Sequence, residues 1–341
     1  MISAGEARGA GRRPGETAER FPGYSDIGDA AALPDAPVAS IIVATYRHED
    51  VLEQCIDSLA KQETDFPFEI LIAEDCSPDG TRDVALALQR KYPHRVRVIF
   101  TPQNKGGTLN SIFATSLCRG DYIGSCDGDD FWVDNGKLAR QVAALRRFPE
   151  VDMAFSRGYR LYPDGVRQLE WDYGEEARIV DARELFSGFG WTAPTASLLF
   201  RAHILRSLPP WFEEAPFGDV IIVMGGSARG GAYYDPAPTI CYRIAYAAGF
   251  TATLEGADLA RRERFLEQAI HFSARACRHY GVPMRAIAHR VDDYRLALAK
   301  LRLRDRRPLQ ALKAVAAVRP AFLLAGAWRS AARRLRRPGG A

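Results

Sequence analysis

Two aspartates one residue apart, Asp127 and Asp129 in the run Cys126-Asp127-Gly128-Asp129-Asp130, are the sharpest chemical feature of this sequence. Set at the end of a strand, both carboxylates reach one hard divalent cation. Mg²⁺ and Mn²⁺ prefer oxygen ligands and often bridge a protein carboxylate to a diphosphate. A cation held there would act as a Lewis acid on a departing nucleoside diphosphate. Gly128 is expected to let phosphates come close, because it carries no side chain. Acidic turns are also common surface features, so the pattern takes its meaning from its setting.

Other groups fit the same chemistry. A carboxylate at Asp75, after Glu74, can accept hydrogen bonds from ribose hydroxyls or a base N–H, or it can be a turn residue of the EDCSPDGT loop. Tyr46 can stack on a base or pack as a rim aromatic on Arg47. In Asn104-Lys105-Gly106-Gly107 the glycines allow backbone approach and Lys105 adds positive charge. No GxGxxG or GxxxxGK[ST] run is present, which removes support for dinucleotide and P-loop chemistry. The six cysteines form no CxxC pair and the six histidines have no metal-ligand spacing, so a zinc site or a disulfide framework is not expected.

These groups need elements to carry them. Val38 to Thr45 is a continuous, β-branched apolar run, the pattern of a strand buried on both faces. An amphipathic helix with Val51, Leu52, Cys55, Ile56 and Leu59 on one side follows. Phe68 to Ala73 reads as a second strand, and Asp79 caps a helix over Thr81 to Lys91. Val96 to Phe100 and Tyr122 to Cys126 read as the third and fourth strands, with a helix opening at the Asn104–Gly107 turn. Strands alternating with helices imply a parallel sheet, and such sheets bind ligands at the carboxyl ends of their strands. Both acidic clusters fall there.

Beyond Val151 the pattern loosens, with strand-like pieces at Met153 to Ser156 and Ser197 to Phe200. Helices resume after about Ala257, with Ile287, Val291, Tyr294, Leu298 and Leu301 as one stripe. The expected layout is an irregular leader over 1–37, an α/β domain over 38–256 divided near residue 150, and a helical extension over 257–341. The leader has no apolar core of a secretory signal, and the cysteines read as reduced thiols, so a cytoplasmic setting is expected. The net charge of +4 hides an asymmetry: nine Arg or Lys and no acidic residue follow Asp305, leaving the rest at −5. That body is not built to wrap nucleic acid. The basic stretch from Leu309 to Arg337, with Trp328, suits an anionic membrane surface or a helix with a solvated basic face.

The blocks VASIIVATYRHEDVLEQCIDSLAKQ, FEILIAEDCSPDGTRDVA and NKGGTLNSIFATSLCRGDYIGSCDGDDFW, in this order, resemble glycosyltransferase family 2, the inverting enzymes of GT-A fold, over roughly Val38 to Pro149. The resemblance implies a Rossmann-like, mostly parallel sheet and transfer from a nucleotide-sugar donor to a glycan or lipid-linked acceptor. It implies that Ala44, Thr45 and Tyr46 line the base, that Asp75 binds base or ribose, and that Lys105 and Gly106 lie beside the nucleotide. Asp127 and Asp129 would hold Mn²⁺ or Mg²⁺, with Asp129 the more direct ligand. The catalytic base would be Asp219 in Phe217-Gly218-Asp219, with Glu213 and Glu214 as rivals; as a plain helix N-cap Asp219 would have no such role. Trp191 would meet a sugar ring or fill the core. Asp235 to Arg243 resembles the late segment that closes over the diphosphate, without the histidine many relatives carry after Tyr-Arg. Two other readings stay open: a nucleotidyltransferase making nucleotide sugars, though TYRHED lacks a Gly-rich phosphate loop, and a catalytically degenerate binding protein.

Overall fold

The computed structural model describes residues 19–187, 192–244, 246, 254 and 256–323. The first half follows the alternation of the sequence. Strands β2 (Ala39–Thr45), β3 (Phe68–Glu74), β4 (Val96–Phe100) and β5 (Tyr122–Asp127) are parallel and lie in the order β4-β3-β2-β5. Successive side chains of a strand face opposite ways, and the core divides accordingly. Ile41, Val43, Ile70 and Ile72 meet α1 (Leu52–Ala60), α2 (Thr81–Lys91) and α4 (Lys137–Arg147) on one face. Ile42, Leu71, Ala73 and Ile99 meet Phe113 and Ala114 of α3 (Gly107–Leu117) on the other. Helix α1 buries Leu52, Cys55, Ile56 and Leu59, the i, i+3, i+4, i+7 stripe, each fully enclosed apolar side chain contributing roughly 1.5–3 kcal/mol.

Past β5 the sheet turns antiparallel. Strand β10 (Leu199–Arg201) inserts between β5 and β7 (Met153–Leu161), antiparallel to both. Strand β11 (Ala232–Arg243) runs parallel to β7 and ends against β6 (Phe131–Trp132). The short β8 (Arg167–Glu170) and β9 (Arg178–Val180) hang off β7 and β11, and helices α5 (Ala182–Ser187) and α6 (Ala202–Arg206) bracket the route into and out of β10. The segment expected to close over a ligand, 235–243, is thus mostly a sheet strand, with a register shift between Asp235 and Ile240 at its prolines. The helical extension shares this core. Phe272 and Ala276 of α8 (Leu259–Tyr280) and Val291 of α9 (Ala288–Arg304) pack in one cluster with Phe155, Phe200 and Met224 of α7 (Asp219–Ser227). Helix α10 (Pro308–Ala316) covers α9 through Ala311 and Ala314.

The expected leader is not irregular throughout. Residues Ser25–Ile27 form β1, antiparallel to the edge of β4, and Phe21 and Tyr24 clasp Phe113 at ring distances of 4.9 and 5.5 Å. Three polar or β-branched residues carry no periodicity to read; an aromatic anchor and an unpaired sheet edge supply the order.

Candidate active site

The carboxyl ends of β3 and β5 flank that of β2, so their acidic groups share one rim. Two backbone bonds seal this arrangement: Asp75 N–H donates to Thr45 O at 3.0 Å, and Gly128 N–H donates to Ala44 O at 2.9 Å.

On the β3 side, Asp75 is buried and accepts from Lys105 N–H at 2.7 Å and Gly106 N–H at 2.9 Å, at the start of α3. Gly106 has φ 79°, a left-handed conformation that favours glycine. Burial pushes the Asp75 carboxyl above the usual carboxylate range, and the two N–H groups hold it back. The Lys105 ammonium lies 5.8 Å from the Phe21 ring centroid. Glu74 is wholly enclosed and paired with Arg82 at 2.7 Å, a structural contact beneath the rim.

On the β2 side, Ala44 is half-buried, and Tyr46 stands at the mouth, 37% exposed. Thr45 is buried instead of lining an open surface; its hydroxyl shares a 3.1 Å hydrogen bond with His48 Nδ1.

On the β5 side, Asp127 and Asp129 are half-buried. The Asp127 carboxyl is raised to about 7 by burial, then by the charges of Asp129 and Asp219. Asp219 comes from the first turn of α7, a segment far away in sequence, and its own carboxyl is raised by burial. It does not make an N-cap bond to the second or third helical N–H. Gly218 holds the cap position, and Asp219 accepts from Val220 N–H at 2.8 Å. Glu213 and Glu214 are exposed on a short 3₁₀ turn, where Glu213 pairs with Arg20; neither contributes to the field at Asp127.

Asp130 is buried. Its Oδ1 accepts from Arg243 N–H at 2.9 Å, Oδ2 has no partner among the described residues, and burial holds the group far above the carboxylate range. The Arg243 guanidinium donates to Asp129 O at 2.9 Å and Gln54 Oε1 at 2.8 Å, bracing the acidic turn; among the described residues it forms no ion pair.

The structure corrects one sequence expectation. The space above Gly128 does not belong to a ligand: a β-carbon there would lie 2.6 Å from His48 Nδ1 and 2.8 Å from Thr45 Oγ1. His48 was not legible as a site residue, because a lone histidine in TYRHED gives no sign of a contact made 80 positions later. Trp191 and the chain from Leu324 lie outside the described residues.

Among the described residues no three histidine, cysteine or carboxylate groups converge as a self-contained metal site. Asp127 and Asp129 still suit a divalent ion. They are hard oxygen donors whose mutual repulsion a cation relieves, and the buried, unpartnered Asp130 oxygen adds to the local need for positive charge. Ions of this kind are commonly bound by one or two carboxylates plus substrate phosphates.

A parallel β4-β3-β2-β5 core with an acidic rim, joined through an antiparallel strand to a second half, is the GT-A architecture. Residues 40–202 match the family described as Glycosyl transferase family 2. An uncharacterized protein of Mycobacterium tuberculosis is 36% identical over 132 residues, 39% of this chain and 38% of the relative. An uncharacterized glycosyltransferase of Nostoc sp. is 35% identical over 177 residues, 50% of this chain and 53% of the relative. These matches thus span about half, or less, of the relatives' own lengths. The fold resembles S. aureus TarS 1–349 in complex with UDP-GlcNAc (TM-score 0.51, 19% identity, 81% of this chain and 88% of that one). It also resembles the mannosyltransferase PcManGT from Pyrobaculum calidifontis in complex with GDP-Man and Mn²⁺ (TM-score 0.53, 19% identity, 92% and 85%).

Proposed function

We propose that the protein is an inverting, metal-dependent glycosyltransferase acting on a nucleotide-sugar donor. The observation that carries this reading is that the charges of Asp129 and Asp219 both act on Asp127, at the sheet rim whose β3 end carries Asp75. Mn²⁺ or Mg²⁺ held by Asp127 and Asp129 would supply Lewis-acid stabilisation of the leaving diphosphate. The chain's own residues do the remaining work. Asp75, oriented by two backbone N–H groups, keeps lone pairs to accept from a ribose hydroxyl or a base N–H. Tyr46 offers an exposed ring for the base, and Ala44 and the Lys105-Gly106 backbone that holds Asp75 would line the same nucleotide site. Asp219, whose proton affinity is raised by burial, takes the proton of an acceptor hydroxyl. Attack opposite the leaving group then inverts the anomeric centre in one displacement.

The fold neighbours carry UDP-GlcNAc in one case and GDP-Man with Mn²⁺ in the other, which supports the donor class and the cation while differing in base and sugar. Asp129→Ala should abolish Mn²⁺-dependent binding of a nucleoside diphosphate in calorimetric titration. Unchanged affinity would remove the acidic turn from the site.

A second contact is proposed with an anionic lipid surface, where a lipid-linked acceptor would reside. Among the described residues no helix is long and apolar enough to cross a membrane. Helix α10 nevertheless exposes Leu309 (77%) and Leu312 (65%), three residues apart on the side away from buried Ala311 and Ala314. The chain after Asp305 carries only basic charge. Exposed leucines within a basic stretch are the pattern of an interfacial segment.

A further inference from the structure

We infer that His48 is a positioning residue for the acidic turn: with Thr45 it forms the seat on which Gly128 rests, and it thereby holds Asp127 and Asp129 in one arrangement. The inference rests on the reading that these two aspartates bind the cation, and goes beyond it by assigning a role to a side chain outside the ligand set.

The contacts are close and come from independent parts of the chain. Gly128 is buried, and its N–H is fixed to Ala44 O at 2.9 Å. The side of its Cα where a β-carbon would project is filled, with His48 Nδ1 at 2.6 Å, Thr45 Oγ1 at 2.8 Å and Thr45 Cβ at 3.0 Å from that point. Real β-carbons essentially never come this near a heavy atom, so any larger residue must push the turn or the seat aside. Thr45 and His48 are themselves joined through Oγ1 and Nδ1 at 3.1 Å.

His48 is in turn held from outside the turn. Its backbone N–H donates to Thr81 Oγ1 at 2.8 Å, at the start of α2. Its ring meets Tyr246 edge-on, with centroids 5.5 Å apart, and Tyr246 Oη donates to Arg47 O at 3.2 Å. The preceding residue, Arg47, is left-handed at φ 61°, uncommon for a side-chain-bearing residue, and its N–H donates to Ser77 Oγ at 3.1 Å. That backbone turn directs His48 inward while Tyr46 and Arg47 stay exposed. The loop after β3, which carries the nucleotide-side carboxylate, is therefore coupled through His48 to the turn that carries the cation ligands. Glycine at 128 follows from this packing, not from the needs of a phosphate.

The test is a double-mutant cycle between positions 48 and 128 on the full chain, read as Mn²⁺ affinity in the presence of UDP and, separately, as the urea unfolding midpoint. Gly128→Ala should weaken Mn²⁺ binding at least tenfold, about 1.4 kcal/mol. In a His48→Ala background the same substitution should cost several-fold less, because one wall of the seat is gone. His48→Ala alone should weaken Mn²⁺ binding several-fold. His48→Asn, whose amide can stand near the place of Nδ1, should recover most of that loss. Additive effects, or wild-type Mn²⁺ affinity in His48→Ala, would overturn the inference even if Gly128→Ala failed to fold. Asp129→Ala in the same titration separates the two levels. If it loses Mn²⁺ while His48→Ala does not, only the positioning role falls; if it keeps Mn²⁺, the cation assignment falls and the positioning role with it.

Discussion

Replacing Asp219 with Asn removes one charge and little else, which makes it the sharpest probe of the chemistry. The amide oxygen can still accept from Val220 N–H, now at 2.8 Å, and the first turn of α7 stays anchored by buried Val220 and Ile221. A positioned general base contributes about 10²- to 10⁴-fold, so turnover should fall by that factor, roughly 3–5 kcal/mol in the barrier. Cation binding should change far less. Asp219 is the smallest of three causes that raise the Asp127 carboxyl, so its charge reaches the acidic turn only weakly. Its removal lowers the pull on a dication while easing proton competition at Asp127, so Mn²⁺ affinity near neutral pH should fall only modestly. The assay is release of nucleoside diphosphate from a panel of UDP-, GDP- and dTDP-sugars with Mn²⁺, beside calorimetric titration of Mn²⁺. Turnover within a factor of ten of wild type would refute the assignment of Asp219 as the base. A collapse of Mn²⁺ affinity would make Asp219 a ligand instead of a base.

Lys137 is wholly enclosed, 3.7 Å from the Trp132 ring centroid and 2.9 Å from Gln141 Oε1, and burial lowers its ammonium from 10.5 to about 7. Between those values the unfolded chain holds a proton that the folded chain lacks, so stability should rise with pH at about 1.4 kcal/mol per unit. From pH 7 to 9 the wild type should gain about 2–3 kcal/mol over Lys137→Met in urea unfolding; a flat difference would mean the ammonium stays charged against Trp132. For the lipid contact, flotation with phosphatidylglycerol-containing vesicles should capture the wild-type chain in a salt-sensitive way. Leu309→Ser with Leu312→Ser should release it without changing nucleoside diphosphate binding, whereas capture equal to wild type would dismiss the α10 face.

The legible elements were those whose burial leaves a mark on composition. β2 and β3 are enclosed on both faces, so most of their residues are apolar, and α1 shows its stripe because one side alone is covered. β1 and β6 have three and two residues, too few for any period. β11 contains Pro236 and Pro238, which argue against a strand until the register shift that accommodates them is seen.

Residue type and spacing alone determined that the chain places carboxylates at Asp75, Asp127 and Asp129 behind buried parallel strands, because strand period and acidic chemistry are both local properties. The tertiary structure decided who their neighbours are. It brought Asp219 into the field of Asp127 by threading β10 between β5 and β7, and it gave Asp75 to the N–H groups of 105 and 106. It also filled the space over Gly128 with His48. Contacts between residues 30 or more positions apart depend on how the sheet is ordered, and no local pattern encodes that order.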